Sequence, residues 1–580
     1  MAEVAERPWH KFWPEAVPKN IDIPDISLGE MFDETSSKAP DNTAVIFLGH
    51  SYTYRQLRRW VDSFATALSQ LGVNKGDVVG LRMPNSVHYV IAYYAALKLG
   101  AIVTANNPLY KAGEIEHQFG DSKAKVIVVM DVVYDEVRKA LGKLPGVKHV
   151  IAGNIADFMP FPKRLIGKLL GKIPSAPTEG CIRFADLLNT RPNVPVVKID
   201  PATDLAVLQY TGGTTGLPKG AMLTHRNLVS NVLQVKAWDY KGQPGKEVIG
   251  GILPLFHIYA MTTVMNFAVC AGNAMLLWPK PPDDWADMLA DIQKYRVTLF
   301  PGVAALYNAI NNHPRVKEFD LRSIRACLSG AGPLPVEIQK RFEELTGARL
   351  IEGYGLTEAS PVTHANPLYD RRKNGTIGLP MPNTDAKIMD QETGEKELGP
   401  NEVGELVVKG PQVMHGYLGH EEENRQVLRD GWLYTGDLGM MDDEGYFIIV
   451  DRKKDMIKRS GYSVFPREIE DLLYKNEHVL ECAVIGVPDE KVGEEIKAFI
   501  ALKPESRGKV TEQDIIAWAK ENMAAYKYPR LVEFRDEIPK GTANKILRRA
   551  LKEEELARLK KGKGEGEQQA ESPASDDKGQ

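Results

Sequence analysis

Residues Tyr210 to Gly220 read Tyr-Thr-Gly-Gly-Thr-Thr-Gly-Leu-Pro-Lys-Gly, just after the apolar run Ala206-Val207-Leu208. Gly212, Gly213 and Gly216 let the backbone approach an anion and turn its N–H groups inward; the hydroxyls of Thr211, Thr214 and Thr215 and the ammonium of Lys219 add donors and charge. Such a loop suits the phosphates of a nucleotide. It is not a Walker-type loop, because Lys219 follows Pro218 and precedes Gly220 instead of standing before a Ser or Thr that opens a helix. The next residues, Ala221 to His225, read as a strand. Taken alone, the segment also fits a plain Gly/Thr hairpin turn.

Four more segments follow in order: Glu352-Gly-Tyr-Gly-Leu-Thr-Glu358, Gly431-Trp-Leu-Tyr-Thr-Gly-Asp437, Asp451-Arg-Lys-Lys-Asp455 and Pro539-Lys-Gly-Thr-Ala-Asn-Lys545. Together the five resemble the adenylate-forming superfamily of acyl-CoA synthetases, luciferases and peptide-synthetase adenylation domains, over roughly residues 25 to 556. Leu208 to Gly216, Gly353 to Pro361 and Ile449 to Ile457 look like bacterial-type medium- and long-chain fatty acyl-CoA synthetases. Pro254 to Ala260 is also similar to plant-type 4-coumarate ligases, so an aryl acid stays as the alternative substrate.

The resemblance implies ATP, Mg²⁺ and coenzyme A, and a reaction in two halves. A carboxylate is a poor electrophile; transfer to AMP supplies a leaving group, and a thiol then displaces AMP. Positioning and cancellation of charge supply most of the catalysis in such transfers. By resemblance, Thr211 to Lys219 hold the β- and γ-phosphates and Thr357 donates to the α-phosphate. Glu358 ligates Mg²⁺, since hard cations take carboxylate oxygens. Tyr354 stacks on adenine, with Gly353 and Gly355 allowing close approach and Glu352 beside them. Asp437 accepts from the ribose hydroxyls with Arg452 as its partner. Lys545 bridges the α-phosphate and the acyl carboxylate, and with Thr357 and Glu358 makes up the expected catalytic set. Asn544 stands where the family usually has glycine and Gly541 where it has threonine; asparagine tolerates left-handed backbone well enough to keep the turn. His257, Tyr259, Val303, Leu306 and Gly330 fall in segments resembling the acyl pocket. Lys458, Gly461 and Tyr462 fall where CoA enters, and Lys454 aligns with the pivot between the two half-reactions.

These residues need a scaffold larger than one core. At 580 residues the chain exceeds a single domain, and 43% hydrophobic with 26% charged residues is an ordinary globular composition. From residue 40 to 200, short β-branched runs (Val78 to Leu81, Ala101 to Thr104, Val126 to Val129 and, more weakly, Val147 to Ile151) alternate with helical patterns (Tyr89 to Leu99, Glu114 to Phe119), which predicts parallel βαβ units. Val297 to Phe300 and Ala326 to Ser329 continue the strands, and Gly378 to Val450 is β-rich and barrel-like. Pro466 opens a helix with acids in its first turns, and Thr511 with Asp514 signals a capped second helix through Met523. The expected architecture is α/β: a large domain at 1–451 made of parallel βαβ sheets plus the barrel-like part, a hinge at 452–455, a small mobile α+β domain at 456–558, and a disordered tail at 559–580.

A formal charge of −4 gives no footprint for nucleic acid, and Cys181, Cys270, Cys327 and Cys482 lie too far apart for a metal-ligand spacing. No apolar run reaches the roughly 18 residues of a membrane span, and the N-terminal residues lack a signal-peptide pattern, so a cytoplasmic enzyme is the expectation. Phe161 to Ile173 sets four basic residues (Lys163, Arg164, Lys168, Lys172) against an apolar side, which fits either an ordinary docked helix or a peripheral contact with a membrane. That contact and a homodimer are the macromolecular associations considered beside the substrates. A non-catalytic acyl- or nucleotide-binding homologue would lose Lys545, Glu358 or Asp437; all three are present. A peptide-synthetase adenylation domain would be followed by a carrier module, where this chain ends in a polar tail, so a stand-alone ligase is expected.

Overall fold

The computed structural model describes residues 7–160, 174–211, 217–282, 284–460, 462–489, 491–540 and 546–558. The basic segment 161–173 and the expected tail at 559–580 lie outside the described residues.

The β-branched runs build a seven-stranded sheet in the order Ile182–Arg183, His149–Gly153, Ala124–Met130, Val78–Arg82, Ile102–Ala105, Leu205–Thr211, Lys219–Thr224. Neighbours are parallel except the last pair, which is an antiparallel hairpin. Burial on both faces explains why these strands read as continuous apolar runs. The crossover Val87–Lys98 is capped by Ser86, whose hydroxyl accepts from the Tyr89 amide, and is buried along its length up to Leu97. Arg82 is the exception inside the sheet. It is fully buried, and its guanidinium donates to Asn106 Oδ1 and to the carbonyls of Asn107, Pro108 and Tyr110. Burial pushes it down to about 10, against the opposing pull of the Glu136 and Glu114 carboxylates. Those bonds fix the loop entering helix Ala112–Asp121, and from that helix His117 Nε2 donates to the Pro218 carbonyl at 2.7 Å. A strand interior thus helps hold one end of the glycine-rich loop.

A second group of strands, Val248–Gly251, Ala274–Leu277, Thr43–Phe47 and His50–Thr53, is joined edge to edge through Leu299 to a third, Ala326–Ser329, Arg349–Gly355, Val362–Ala365 and Leu379–Pro380. Val297 to Phe300, expected as a strand between them, contributes only single pairings of Leu299 with Ile249 and Ala326. Pro301 follows and has no N–H to continue a ladder. The expected strand at Val147 to Ile151 forms two residues later, as His149–Gly153, because Leu144 to Val147 closes a turn. The β-rich part is a five-stranded antiparallel sheet of Asp385–Met389, Gly404–Lys409, Trp432–Met441, Leu428–Arg429 and Phe447–Arg452.

After Arg452 a turn leads to Ile457–Arg459, the first strand of a separate sheet with Tyr462–Val464, Gly493–Leu502, Val479–Asp489 and Leu531–Phe534. Helices Pro466–Leu473 and Glu512–Asn522 cover it, and Ile469, Leu473, Val484, Ile496, Ile500 and Ile515 form its own buried core. The expected capping box at Thr511 and Asp514 is made, each side chain accepting from the other's amide. The chain is therefore an α/β protein with a large sheet-based part and a smaller α+β part. Among the described residues, no helix is long and apolar enough to cross a membrane.

Candidate active site

The hairpin Leu205–Thr211 and Lys219–Thr224 pairs Thr211 with Lys219 at its end. Gly212 to Gly216 lie outside the described residues, as do Gly461, Gly541, Asn544 and Lys545. The outer edge of Lys219–Thr224 is covered by residues 415–418: the Met222 amide donates to the Gly416 carbonyl at 2.8 Å and the Leu418 amide to the Gly220 carbonyl at 2.9 Å. This pairing brings in two side chains that the motifs did not indicate. Lys219 Nζ is held by the carboxylate of Glu423, 2.6 Å from Oε1, and lies 5.7 Å from the centre of the Tyr417 ring. Tyr417 donates its hydroxyl to Glu358 Oε1 at 2.6 Å. One short segment therefore holds both the loop lysine and the expected metal ligand. Glu423 belongs to the run Glu421 to Glu423, which in sequence reads only as the acidic first turn of a helix.

Strand Arg349–Gly355 carries Glu352, Gly353, Tyr354 and Gly355 to the sheet end, and the following turn carries Thr357 and Glu358. A Cβ at Gly355 would stand 2.2 Å from the Pro361 carbonyl oxygen, so only glycine lets the chain fold back here. At Gly353 the close neighbour is Leu328. Tyr354 donates to Asp437 Oδ2 at 2.5 Å, and Arg452 Nε reaches Asp437 Oδ1 at 3.2 Å. Asp437 and Arg452 are cross-strand partners, which explains how residues from two separate motifs meet. Burial next to an aspartate raises the Tyr354 phenol well above its ordinary range, keeping it a donor. Glu352 is buried with one bond from the Leu334 amide at 3.2 Å, and burial pushes its carboxyl up to about 7.

Behind this cluster lies a cavity of about 70 Å³ between helix His225–Trp238 and the strands Ala326–Ser329, Arg349–Gly355 and Val362–Ala365. Thr263, Phe267, Pro301, Leu328 and Val362 are among its lining residues. Of the expected acyl residues, Tyr259 stands next to it, donating to the Leu328 carbonyl at 2.7 Å and packing on Gly330, where a Cβ would lie 3.1 Å from its ring. Val303 and Leu306 are not among the cavity's lining residues; Leu306 packs with Val297, Phe300 and Tyr307 in a neighbouring core, and Val303 is partly buried against both cores. His257 caps the short helix Ile258–Ala260, its Nδ1 accepting from the Tyr259 amide at 3.2 Å.

On the small part, Tyr462 stacks on Tyr526 with ring centres 4.8 Å apart and planes 21° from parallel, and both rings are exposed. Tyr526 carries no motif signal. The Lys458 amide donates to Glu494 at 2.8 Å. Lys454 lies exposed in the turn after Arg452. Just before that turn, Asp451 accepts from the Arg467 amide at 2.8 Å; just after Lys454, Asp455 faces Arg548 at 3.6 Å.

No group of three or more His, Cys, Asp or Glu is placed to hold a metal among the described residues. A lone carboxylate such as Glu358 still fits Mg²⁺, which is commonly held by one or two carboxylates plus substrate phosphates.

The family model for AMP-binding enzymes matches residues 32–418, and that for the AMP-binding enzyme C-terminal domain matches 468–545. A long-chain-fatty-acid–CoA ligase of Bacillus subtilis (strain 168) is 43% identical over 557 residues, covering 95% of this chain and 98% of that protein. A namesake from Yersinia pestis is 40% identical, with 95% and 98% covered. The crystal structure of the anthranilate CoA ligase AuaEII in complex with anthranoyl-AMP superposes with a TM-score of 0.82 at 27% identity, over 93% of this chain and 99% of that one. With the loop hairpin, the Tyr354–Asp437–Arg452 cluster and the two-part fold in place, the matches leave one conclusion: the chain belongs to the AMP-binding enzyme family of adenylate-forming acid–CoA ligases.

Proposed function

We propose that the chain activates a fatty acid with ATP and passes the acyl group to CoA. The observation that carries this reading is the apolar cavity ending at Leu328, beside the polar cluster of Tyr354, Asp437 and Arg452. An alkyl tail suits the cavity, and a nucleotide suits the cluster. In the first half-reaction a carboxylate oxygen forms a bond to the α-phosphorus, and the bond to the β-phosphate bridge breaks to release pyrophosphate. In the second the CoA thiolate attacks the acyl carbon and AMP leaves with the bonding pair.

In this reading Thr211 and the loop glycines hold the departing phosphates, and Lys219 joins them as ATP takes it from Glu423. Thr357 donates to the α-phosphate, and Tyr354 with Asp437 and Arg452 orients adenine and ribose. Mg²⁺ held by the Glu358 carboxylate would neutralise phosphate charge. Lys545 bridges the reacting carboxylate and α-phosphate. Residues 452–455 act as the hinge, so that the small domain delivers Lys545 in one orientation and the CoA-facing side in the other. Lys458 and the exposed Tyr462–Tyr526 stack meet the nucleotide end of CoA. The segment 161–173 supplies a reversible contact with an anionic membrane surface.

The test is a panel of alkyl and aryl acids assayed for pyrophosphate release and for acyl-CoA, with wild type and Lys545→Ala. Alkyl acids should turn over, and the variant should lose pyrophosphate release by about 10²–10³ while still converting supplied acyl-AMP and CoA. Turnover confined to aryl acids would overturn the substrate assignment, and equal loss of both half-reactions would overturn the role of Lys545.

A further inference from the structure

The cavity has one charged residue in its lining, Asp239, at the C-terminal end of helix His225–Trp238. Arg325 clamps it in a two-pronged pair, Nη1 to Oδ1 at 2.8 Å and Nη2 to Oδ2 at 2.6 Å. Tyr369 donates its hydroxyl to the same carboxylate. Glu247 completes the group: it accepts from Arg325 Nη2 at 2.8 Å and from the Gln243 amide at 2.8 Å. The side chains of Asp239 and Glu247 are 8% and 5% exposed, whereas that of Arg325 is 26% exposed. The cluster therefore stands between an apolar cavity and water.

Its distance from the chemistry can be read along one strand. Arg325 directly precedes Ala326–Ser329; Ala326, Cys327 and Leu328 line the cavity, and Gly330 touches Tyr259. At about 3.3 Å per residue, Arg325 lies about 13 Å from Ser329. An extended alkyl chain, built from bonds of about 1.5 Å and advancing about 1.25 Å per carbon, covers that span in roughly ten carbons. Nothing in the adenylation chemistry uses a buried ion cluster at this place.

We propose that Asp239, Arg325, Glu247 and Tyr369 form a polar gate at the far end of the acyl cavity, and that acids longer than about ten carbons must part it to seat their tails. The inference rests on the fatty-acid reading of the cavity. Acids shorter than this limit end inside the apolar lining. Longer ones push their last methylenes beside Arg325 toward the surface, so the stability of the cluster sets how steeply activity depends on chain length. The gate residues are specificity determinants; none of them touches the reacting atoms.

The experiment compares kcat/KM for saturated acids of eight and sixteen carbons. Tyr369→Ala removes a bond to Asp239 without leaving a charge unpaired, and the double variant Asp239→Asn with Arg325→Gln removes the ion pair at similar volume. In each, the sixteen-to-eight ratio should rise at least about tenfold, a gain of about 1.4 kcal/mol for the longer acid. A ratio within twofold of wild type in a variant that melts as the wild type does, or a fall in the ratio, overturns the gate. Leu328→Trp, which fills the cavity short of the gate, separates the two readings. It should abolish use of the sixteen-carbon acid; if every alkyl acid is still used, the cavity is not the acyl site and the substrate reading itself fails.

Discussion

Glu352 is buried at the end of the strand that carries Tyr354, and a single amide bond does not offset the loss of water around its carboxylate. Burial raises its pKa to about 7, with Arg467 and the Leu334 amide pulling the other way. The unfolded chain ionises this group near 4.3. Between those two values the unfolded state releases a proton that the folded state keeps, so the contribution of Glu352 to stability is full in acid and is lost as pH rises through about 7. Glu352→Gln removes that dependence. In urea unfolding, the stability difference between variant and wild type should move by about 2 kcal/mol in the variant's favour from pH 5 to pH 8. A difference that stays flat across that range would mean the carboxyl ionises normally in the folded protein.

At the scale of elements, the proposed hinge is the turn between Phe447–Arg452 and Ile457–Arg459. The residues flanking Lys454 are tied down: the Lys453 amide donates to the Gly436 carbonyl at 3.0 Å and the Asp455 amide to the Arg452 carbonyl at 3.0 Å. In the proposed two-orientation reaction, rotation of the small domain would concentrate on the dihedrals of Lys454. Lys454→Pro fixes φ near about −65° and biases the preceding residue toward extended backbone. Pyrophosphate release with acid and ATP should persist, while thioester formation from supplied acyl-AMP and CoA should fall by at least about tenfold, a loss of about 1.4 kcal/mol. An unchanged second half-reaction would place the pivot elsewhere in the turn.

At the scale of the whole molecule, the two ends of segment 161–173 are anchored even though the segment itself lies outside the described residues. Phe158 is buried and its carbonyl accepts from Tyr52, while Asn154 donates to the Pro174 carbonyl at 3.3 Å and Asp131 accepts from the Ala176 amide at 3.3 Å. The four basic residues between these anchors each add about 1 kcal/mol near an anionic surface, a sum that salt screens away. Wild type should therefore sediment with anionic vesicles at low salt, and the variant with Lys163, Arg164, Lys168 and Lys172 all changed to Gln should not, while both turn over short soluble acids alike. Failure of the wild type to sediment would rule out the membrane contact.

The chemistry was legible in the chain because it is local. The Thr511 capping box and the strand runs at Val78 to Leu81 and Ala326 to Ser329 each depend on neighbours a few residues away, and each formed where it was expected. The contacts that tune the site are not local. Lys219 meets Glu423 from 204 positions away, Tyr354 meets Asp437 from 83, and Asp239 meets Arg325 from 86. No periodicity encodes such pairs. They follow from which strand edge lies beside which, as when residues 415–418 cover Lys219–Thr224. Likewise Leu306 is apolar and near the site in sequence, but helix Ala304–Asn312 carries it into a neighbouring core, and the cavity is lined by residues of other elements. Residue types determined what reaction the chain can carry out; tertiary packing decided which charges face each other and which residues line the cavity behind the site, because both depend on surfaces that form only once separate elements meet.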